Sequence, residues 1–225
     1  MLLLFDIDGT LLLKATREHV EAVTAAIREV WGVRDLAAVD AAGRTDRDIV
    51  RQVLMRKGVD TRRIDDGMAS FVDAAADAYG RLVPDDLASH VAPGVPAALE
   101  ALAARDGTLL TLVTGNLEPI ARMKLHAAGL ARYFARGQGA FGSDHEDRAA
   151  LPAIARARAA RRNGGTPWPR RKTVVIGDTP RDIACARADG VRCVAIATGP
   201  YRADELRGAD KVIAHAGELP AALGV

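Results

Sequence analysis

Cysteine is scarce in this chain of 225 residues, which has only Cys185 and Cys193. Two cysteines exclude a disulfide-stapled framework and read as small buried side chains of a reducing compartment, so the expected location is cytoplasmic. Aromatic residues make up 4% of the chain, and no aromatic set accompanies its basic stretches. No apolar run approaches the length of a transmembrane helix. Leu2 to Leu4 is far too short for a signal-peptide core and has no basic leader. No membrane partner is expected. Excess charge is also lacking: a formal net charge of +2 argues neither for nor against an anionic partner. Lysine is rare, with Lys14, Lys57, Lys124, Lys172 and Lys211 the only ones among 31 basic side chains. Any lysine placed near a site therefore stands out. What is present is 49% hydrophobic and 27% charged, enough apolar material for a sizeable core. The length suits one large domain, or a core domain carrying an insertion.

Leu2-Leu3-Leu4-Phe5 reads as a buried strand. After Thr10 the pattern turns helical. Val20, Val23, Ile27, Val30 and Trp31 predict one helix stopped by Gly32. A second fits Asp46 to Lys57, with Thr45 as N-cap, and a third fits about Ile64 to Leu82. No strand is expected between residues 14 and 90. A helix follows Pro93-Gly94 and ends near Asp106-Gly107, and then Leu109 to Thr114 reads as a strand closed by Gly115-Asn116. Further on come a helix from about Pro119 to Ala128, a short strand at Ala140-Phe141 and a helix from about Asp147 to Arg162. Next are a strand at Thr173 to Ile176, a helix to Asp189-Gly190, and strands at Val194 to Ile196 and Lys211 to Ile213. Alternating strands and helices predict an α/β fold, a Rossmann-like parallel sheet covered on both faces. Ligands of such sheets bind beyond the carboxyl ends of the strands. Asp6 and Asp8, Thr114 and Asn116, and Asp178 all fall at such ends.

Asp6, Asp8 and Asp178, with Asp182 one helical turn further on, gather hard oxygen ligands of the kind Mg²⁺ prefers. Nearby cysteine is absent and His145 is the single neighbouring histidine, which argues against zinc. One such aspartate would ordinarily be a turn or cap residue; the set of them, each after an apolar strand, is not explained that way. Two other patterns are distractors. Gly137-Gln138-Gly139-Ala140-Phe141-Gly142 matches a dinucleotide fingerprint, but it follows no strand and lacks the ribose-binding acid. The basic run from Arg156 to Lys172 reads as a solvated helix face and loop, and no nucleic-acid partner is expected.

The motifs resemble those of the haloacid dehalogenase-like hydrolase superfamily, most of all its phosphoglycolate-phosphatase-like members with a helical, C1-type cap. Asp6-Ile7-Asp8-Gly9-Thr10 resembles the first motif, Leu112 to Asn116 the second, and Gly177-Asp178-Thr179-Pro180-Arg181-Asp182 the fourth. The resemblance implies a core of residues 1–13 and 93–225 with a cap of residues 14–92. It implies Asp6 as a nucleophile that forms an aspartyl-phosphate, and Asp8 as general acid and base. Mg²⁺ would be held by Asp6, the backbone carbonyl of Asp8, and Asp178, with Asp182 holding its waters or orienting neighbours. Thr114, with backbone N–H groups around Gly115 and Asn116, would bind phosphoryl oxygens. The third motif usually carries a lysine; here Arg148 stands in that region and is expected to bind phosphate or to tie Asp6 to Asp178. Lys124 is the alternative, although its helix position suits a solvated face equally well. Arg44 is a candidate for a substrate anion, Thr45 for substrate contact or a plain N-cap, and Arg17 is a weaker candidate of the same kind.

The implied function is Mg²⁺-dependent hydrolysis of a small phosphorylated metabolite by a monomer or homodimer. Asp8 speaks against dehalogenation, which does without a second acid. A sugar-phosphate mutase uses both aspartates and differs mainly in the cap. A phosphonatase would need a cap lysine, Lys14 or Lys57. A non-catalytic binding protein has no evident need for the acid–base partner.

Overall fold

Leu2–Phe5 (β1) is apolar at every position, as suits a strand covered on both faces. All four side chains are buried in the computed structural model, which describes residues 1–36 and 38–224. Leu109–Leu112 (β2) and Thr173–Gly177 (β3) flank it, while Arg192–Ile196 (β4) and Lys211–Ile213 (β5) extend the sheet, giving the order β2-β1-β3-β4-β5. Every pairing is parallel. Parallel neighbours need crossover connections. In chain order the helices are Arg17–Trp31 (α1), Asp46–Arg56 (α2), Thr61–Leu82 (α3) and Val95–Ala103 (α4), then Glu118–Ala127 (α5), Leu151–Arg158 (α6), Pro180–Ala188 (α7) and Leu219–Leu223 (α8).

The two faces of the sheet follow the period-two alternation of strand side chains. Leu3, Phe5, Leu112 and Ile176 pack with α4, α5 and α8. Leu2, Leu4, Val175 and Ala195 pack with α6 and α7. The helices α1, α2 and α3 bury a third cluster around Ile27, Trp31, Leu54, Phe71 and Tyr79, which reaches Leu117 and Ile120 at the start of α5. Among the described residues no helix is long and apolar enough to cross a membrane.

Register places the site. Phe5 pairs with Leu112 on one side and with Ile176 on the other. Asp6, Val113-Thr114 and Gly177-Asp178 therefore leave the sheet together at its carboxyl edge. The chain runs from β1 outward to β2 and returns on the other side of β1 for β3. That reversal opens the crevice where doubly wound sheets bind ligands.

Most expected elements appear within a residue or two, and the differences have local causes. The third helix begins earlier, at Thr61, because Asp60 caps it by accepting from the Arg62 N–H at 2.9 Å. Ala140-Phe141 makes a single bridge to Val113 rather than a strand, because the Phe141 N–H is taken by the Asp144 carboxylate at 2.9 Å. The helix expected over 147–162 is divided: Arg148–Ala150 is a 3-10 turn, α6 starts at Leu151, and Ala159–Arg162 is 3-10 again. Pro152 lacks an N–H, so it fits only the first turn of an α-helix. The short α8 has no counterpart in the sequence expectations.

Candidate active site

Asp6 follows β1, Asp178 follows β3, and Asp182 lies in the first turn of α7, where it forms a capping box with Thr179. All three are buried, and one ligand oxygen from each lies within 4.8 Å of the others. Thr10 donates its hydroxyl to Asp178 at 2.9 Å. Glycine at position 9 is required twice over. Its φ is +86°, and a Cβ there would collide with the Asp178 carboxylate.

Arg148 is buried among these acids. Its guanidinium bonds Asp182, lies 3.2 Å from Asp6 Oδ2 and donates to the Gly43 carbonyl at 3.1 Å. The expected tie to Asp178 is thus replaced by one to Asp182, whose α7 position carries it toward the 3-10 turn that holds Arg148. Burial pushes the Asp6 carboxyl up to about 6, with Asp182 and Asp8 adding to the rise and Arg148 opposing it. Burial, then the charges of Asp6 and Asp182, pushes Asp178 up to about 8. One guanidinium does not neutralise three carboxylates, and the uncompensated oxygens are the hard donors a divalent cation takes. The residues fit Mg²⁺.

These shifts have a consequence for stability. The unfolded chain releases both protons near the ordinary carboxylate value of 3.8, while the folded chain holds them to about 6 and about 8. Folding therefore loses free energy as pH rises through that window. The thermal midpoint of the metal-free protein should fall from pH 5 to pH 8, and Mg²⁺ should raise it more at pH 8 than at pH 5. Thermal unfolding in chelator and in Mg²⁺ measures this; equal Mg²⁺ effects at both values would count against a metal among these acids.

Asp8 sits two residues past Asp6, in a separate network. Lys124 is fully buried, so the solvated reading of its helix position is corrected. Its ammonium donates to both Asp8 oxygens at 2.8 and 2.7 Å, to Asn116 Oδ1 at 2.9 Å, and to His19 Nδ1 at 3.1 Å. An ammonium only donates, so His19 Nδ1 is an acceptor and the ring proton is on Nε2, which meets Asp46 Oδ2 at 3.0 Å. That same oxygen accepts the Leu117 N–H at 2.8 Å. Asn116 donates Nδ2 to Asp8 at 2.8 Å and to Thr114 Oγ1 at 2.9 Å. Burial alone would raise the Asp8 carboxyl, but the Lys124 charge and the hydrogen bonds from Lys124 and Asn116 hold it below the ordinary value.

The helices α1 and α2 close over this edge of the sheet. The Asp46 N–H donates to the Gly115 carbonyl at 2.9 Å, and a Cβ on Gly115 would collide with the Arg44 carbonyl oxygen. The obstacle is backbone, so a side chain must force the two segments apart. Gly115→Ala should lower kcat/KM roughly 10- to 100-fold, the cost of displacing a site by about 1 Å. A wild-type value for this variant would show that the close approach is irrelevant to activity.

The remaining expected residues divide. Thr114 is buried beside Asn116 at the end of β2. Arg44 borders the cavity above the acids, but its guanidinium is held by Asp48 at 2.7 Å and by the Asp40 carbonyl at 2.8 Å. Thr45 is the N-cap of α2: it accepts the Asp48 N–H at 3.1 Å and donates to the Glu146 carbonyl at 2.5 Å. Of the two roles the sequence offers Thr45, the structure shows the N-cap, its buried hydroxyl engaged in holding α2. Arg17 and His145 are exposed, Arg17 outside the cavity lining. Cys185 and Cys193 are buried and unpaired. Sequence reasoning missed His19 and Asp46. The available signal was a histidine on the same face of α1 as Ala22 and Ala26, where a polar side chain needs buried partners.

Strand-end acids on a doubly wound parallel sheet, roofed by a helical layer, define an α/β protein whose Asp6, Asp178 and Asp182 oxygens lie close enough together to meet at one cation. The chain belongs to the haloacid dehalogenase-like hydrolase family, whose model matches residues 3–187. It is 28% identical over 210 residues to phosphoglycolate phosphatase 1 of Pseudomonas aeruginosa, covering 88% of this chain and 70% of that one. To the phosphoglycolate phosphatase of Rhodospirillum rubrum it is 29% identical over 209 residues, covering 88% and 80%. In fold it is similar to CbbY from Rhodobacter sphaeroides, with a TM-score of 0.67, 20% identity and coverage of 100% and 99%. A hydrolase from Pseudomonas syringae gives 0.66, 21% identity, and 99% and 97%.

Proposed function

We propose that the protein is a Mg²⁺-dependent phosphatase that hydrolyses a small phosphomonoester through an aspartyl-phosphate on Asp6. The observation that carries this reading is the separation of the two acids of Asp6-Ile7-Asp8. Asp6 lies in the acid cluster with Arg148, and Asp8 is held apart by Lys124. Two carboxylates in unlike surroundings can take unlike roles. The similarity to two phosphoglycolate phosphatases supports the same reading.

In this mechanism Asp6 attacks phosphorus while Arg148 fixes the orientation of its carboxylate. The guanidinium Nε is buried without a partner among the described residues. Thr114 and the backbone N–H groups at the start of α5 bind the phosphoryl oxygens. Asp8 protonates the departing alkoxide and then takes a proton from the water that cleaves the acyl phosphate. Asp6, Asp178 and the Asp8 carbonyl would hold Mg²⁺, with Asp182 outside them, and the ion would supply charge neutralisation at the phosphoryl group. Residues 14–92 act as the cap, and two unpaired buried thiols suit a cytoplasmic enzyme.

The test is release of inorganic phosphate from a broad panel of phosphate esters, with Mg²⁺ and with chelator. Metal-dependent turnover of at least one ester is the expected result. No release from any of them would overturn the reading.

A further inference from the structure

Above Asp6 and Asp8 lies a cavity of about 660 Å³, within the range of sites that enclose drug-sized molecules. Its floor is polar and its far wall is not. Val20, Val23, Thr24 and Ile27 of α1 follow i, i+3, i+4, i+7 spacing and border the cavity together with Ile49 and Val53 of α2. Val20 is 63% exposed, one of two strongly exposed large hydrophobics among the described residues. Leu36 and Val39, from the segment between α1 and α2, complete the wall. This apolar surface is continuous with the phosphate end and faces it across the cavity.

Charge complementarity narrows the occupant. A carboxylate at the far end would need a free cation, and a sugar would need polar partners along its hydroxyls. Of the cations bordering the cavity, Arg148 is engaged by Asp6 and Asp182, Arg44 by Asp48, and His19 by Lys124 and Asp46. Lys14 has no such partner among the described residues, but it precedes α1 and lies outside the α1 and α2 faces that make the apolar wall. Thr24 is the one polar side chain within the α1 stripe.

We infer that the phosphomonoester this enzyme hydrolyses carries an apolar body, an alkyl or aryl alcohol seated between the α1 stripe and the Ile49–Val53 face of α2. The inference rests on the phosphatase reading and names its substrate class: the phosphate of a hydrophobic alcohol. The P–O bond to that alcohol breaks, the alcohol leaves with the proton from Asp8, and water supplies the oxygen that ends on phosphate.

Straight-chain alkyl phosphates separate this from the alternatives, because the leaving group's chemistry stays nearly constant while its apolar area grows. With Mg²⁺ present, kcat/KM should rise about three- to fourfold per methylene from ethyl to hexyl phosphate, the transfer free energy of about 0.8 kcal/mol for each buried CH₂. Hexyl phosphate should exceed phosphoglycolate and glucose 6-phosphate. Val23→Asp, which places a charge in the stripe, should reduce the hexyl-to-ethyl ratio at least about tenfold. Val20→Ser, at a position exposed enough to spare the fold, should reduce it about threefold. Hexylphosphonate should raise the thermal midpoint more than methylphosphonate does, a binding readout that needs no turnover. A flat alkyl series, or phosphoglycolate or the sugar phosphate surpassing hexyl phosphate, overturns the inference and leaves the phosphatase reading intact. Release of phosphate from no ester overturns that reading, and this inference with it.

Discussion

Asp6→Asn should lose phosphate release by at least about a thousandfold while remaining folded. An amide cannot attack phosphorus to give an acyl phosphate, so the covalent route closes. The same substitution removes one of three crowded carboxylates whose own burial already raises the Asp6 carboxyl to about 6. Arg148 keeps its bonds to Asp182 and the Gly43 carbonyl, so no buried charge is orphaned. In chelator at pH 8, the thermal midpoint of the variant should match or exceed that of the wild type, and the stabilisation by Mg²⁺ should shrink. Activity and unfolding measured on one preparation check both halves. A variant retaining a tenth of wild-type turnover would remove Asp6 from the nucleophile's role.

Lys124→Met should be the most destabilising single change at the site. The side chain is fully buried, and its ammonium serves Asp8, Asn116 and His19 together. Removing one member of a buried ion pair strands the other and costs about 3–5 kcal/mol. For a chain of this size that amounts to about 2–4 °C of midpoint per kcal/mol. The pH dependence should change as well. Asp8 is held below 3.8 in the wild type, so its pairing stabilises the fold above the unfolded value and is lost on acidification below it. Without the Lys124 charge the Asp8 carboxyl rises, and the acid limb of the rate profile should move to higher pH. Asp8→Asn combined with Lys124→Met should recover part of the lost stability, because no charge is then left alone. Unfolding and pH–rate profiles of the single and double variants decide this. Wild-type stability and pH dependence in Lys124→Met would show that the buried contacts of Lys124 contribute nothing measurable to fold or activity.

The parts of the site legible in the sequence are those that end a buried strand. Asp6, Asp8, Thr114 and Asp178 each follow an apolar run, and the parallel register brings such positions to one edge. Thr45 was legible as an N-cap for a related reason, since it directly precedes a periodic segment. Less visible were residues whose partners come from another element. Nothing near Lys124 in the chain shows that its α5 position faces Asp8, or that His19 arrives from α1 to meet it. Asp46 shows in the sequence only as the first residue of a helix, yet its carboxylate bonds both His19 and the N–H of Leu117. Arg148 lies beside Asp6, and its second partner, set by the turn of α7, is Asp182 rather than Asp178. Helical periodicity reports which face is buried and is silent about what the face meets.

The guanidinium beside Asp6 has a chemical consequence of its own. An arginine does not give up its proton at any accessible pH, and here the neighbouring carboxylates raise its affinity for that proton further, against the burial that would lower it. The countercharge beside Asp6 is therefore permanent. It does not titrate away in alkali, and acylating reagents aimed at amines have nothing to modify there. An alkaline arm in the rate profile then belongs to a group other than Arg148.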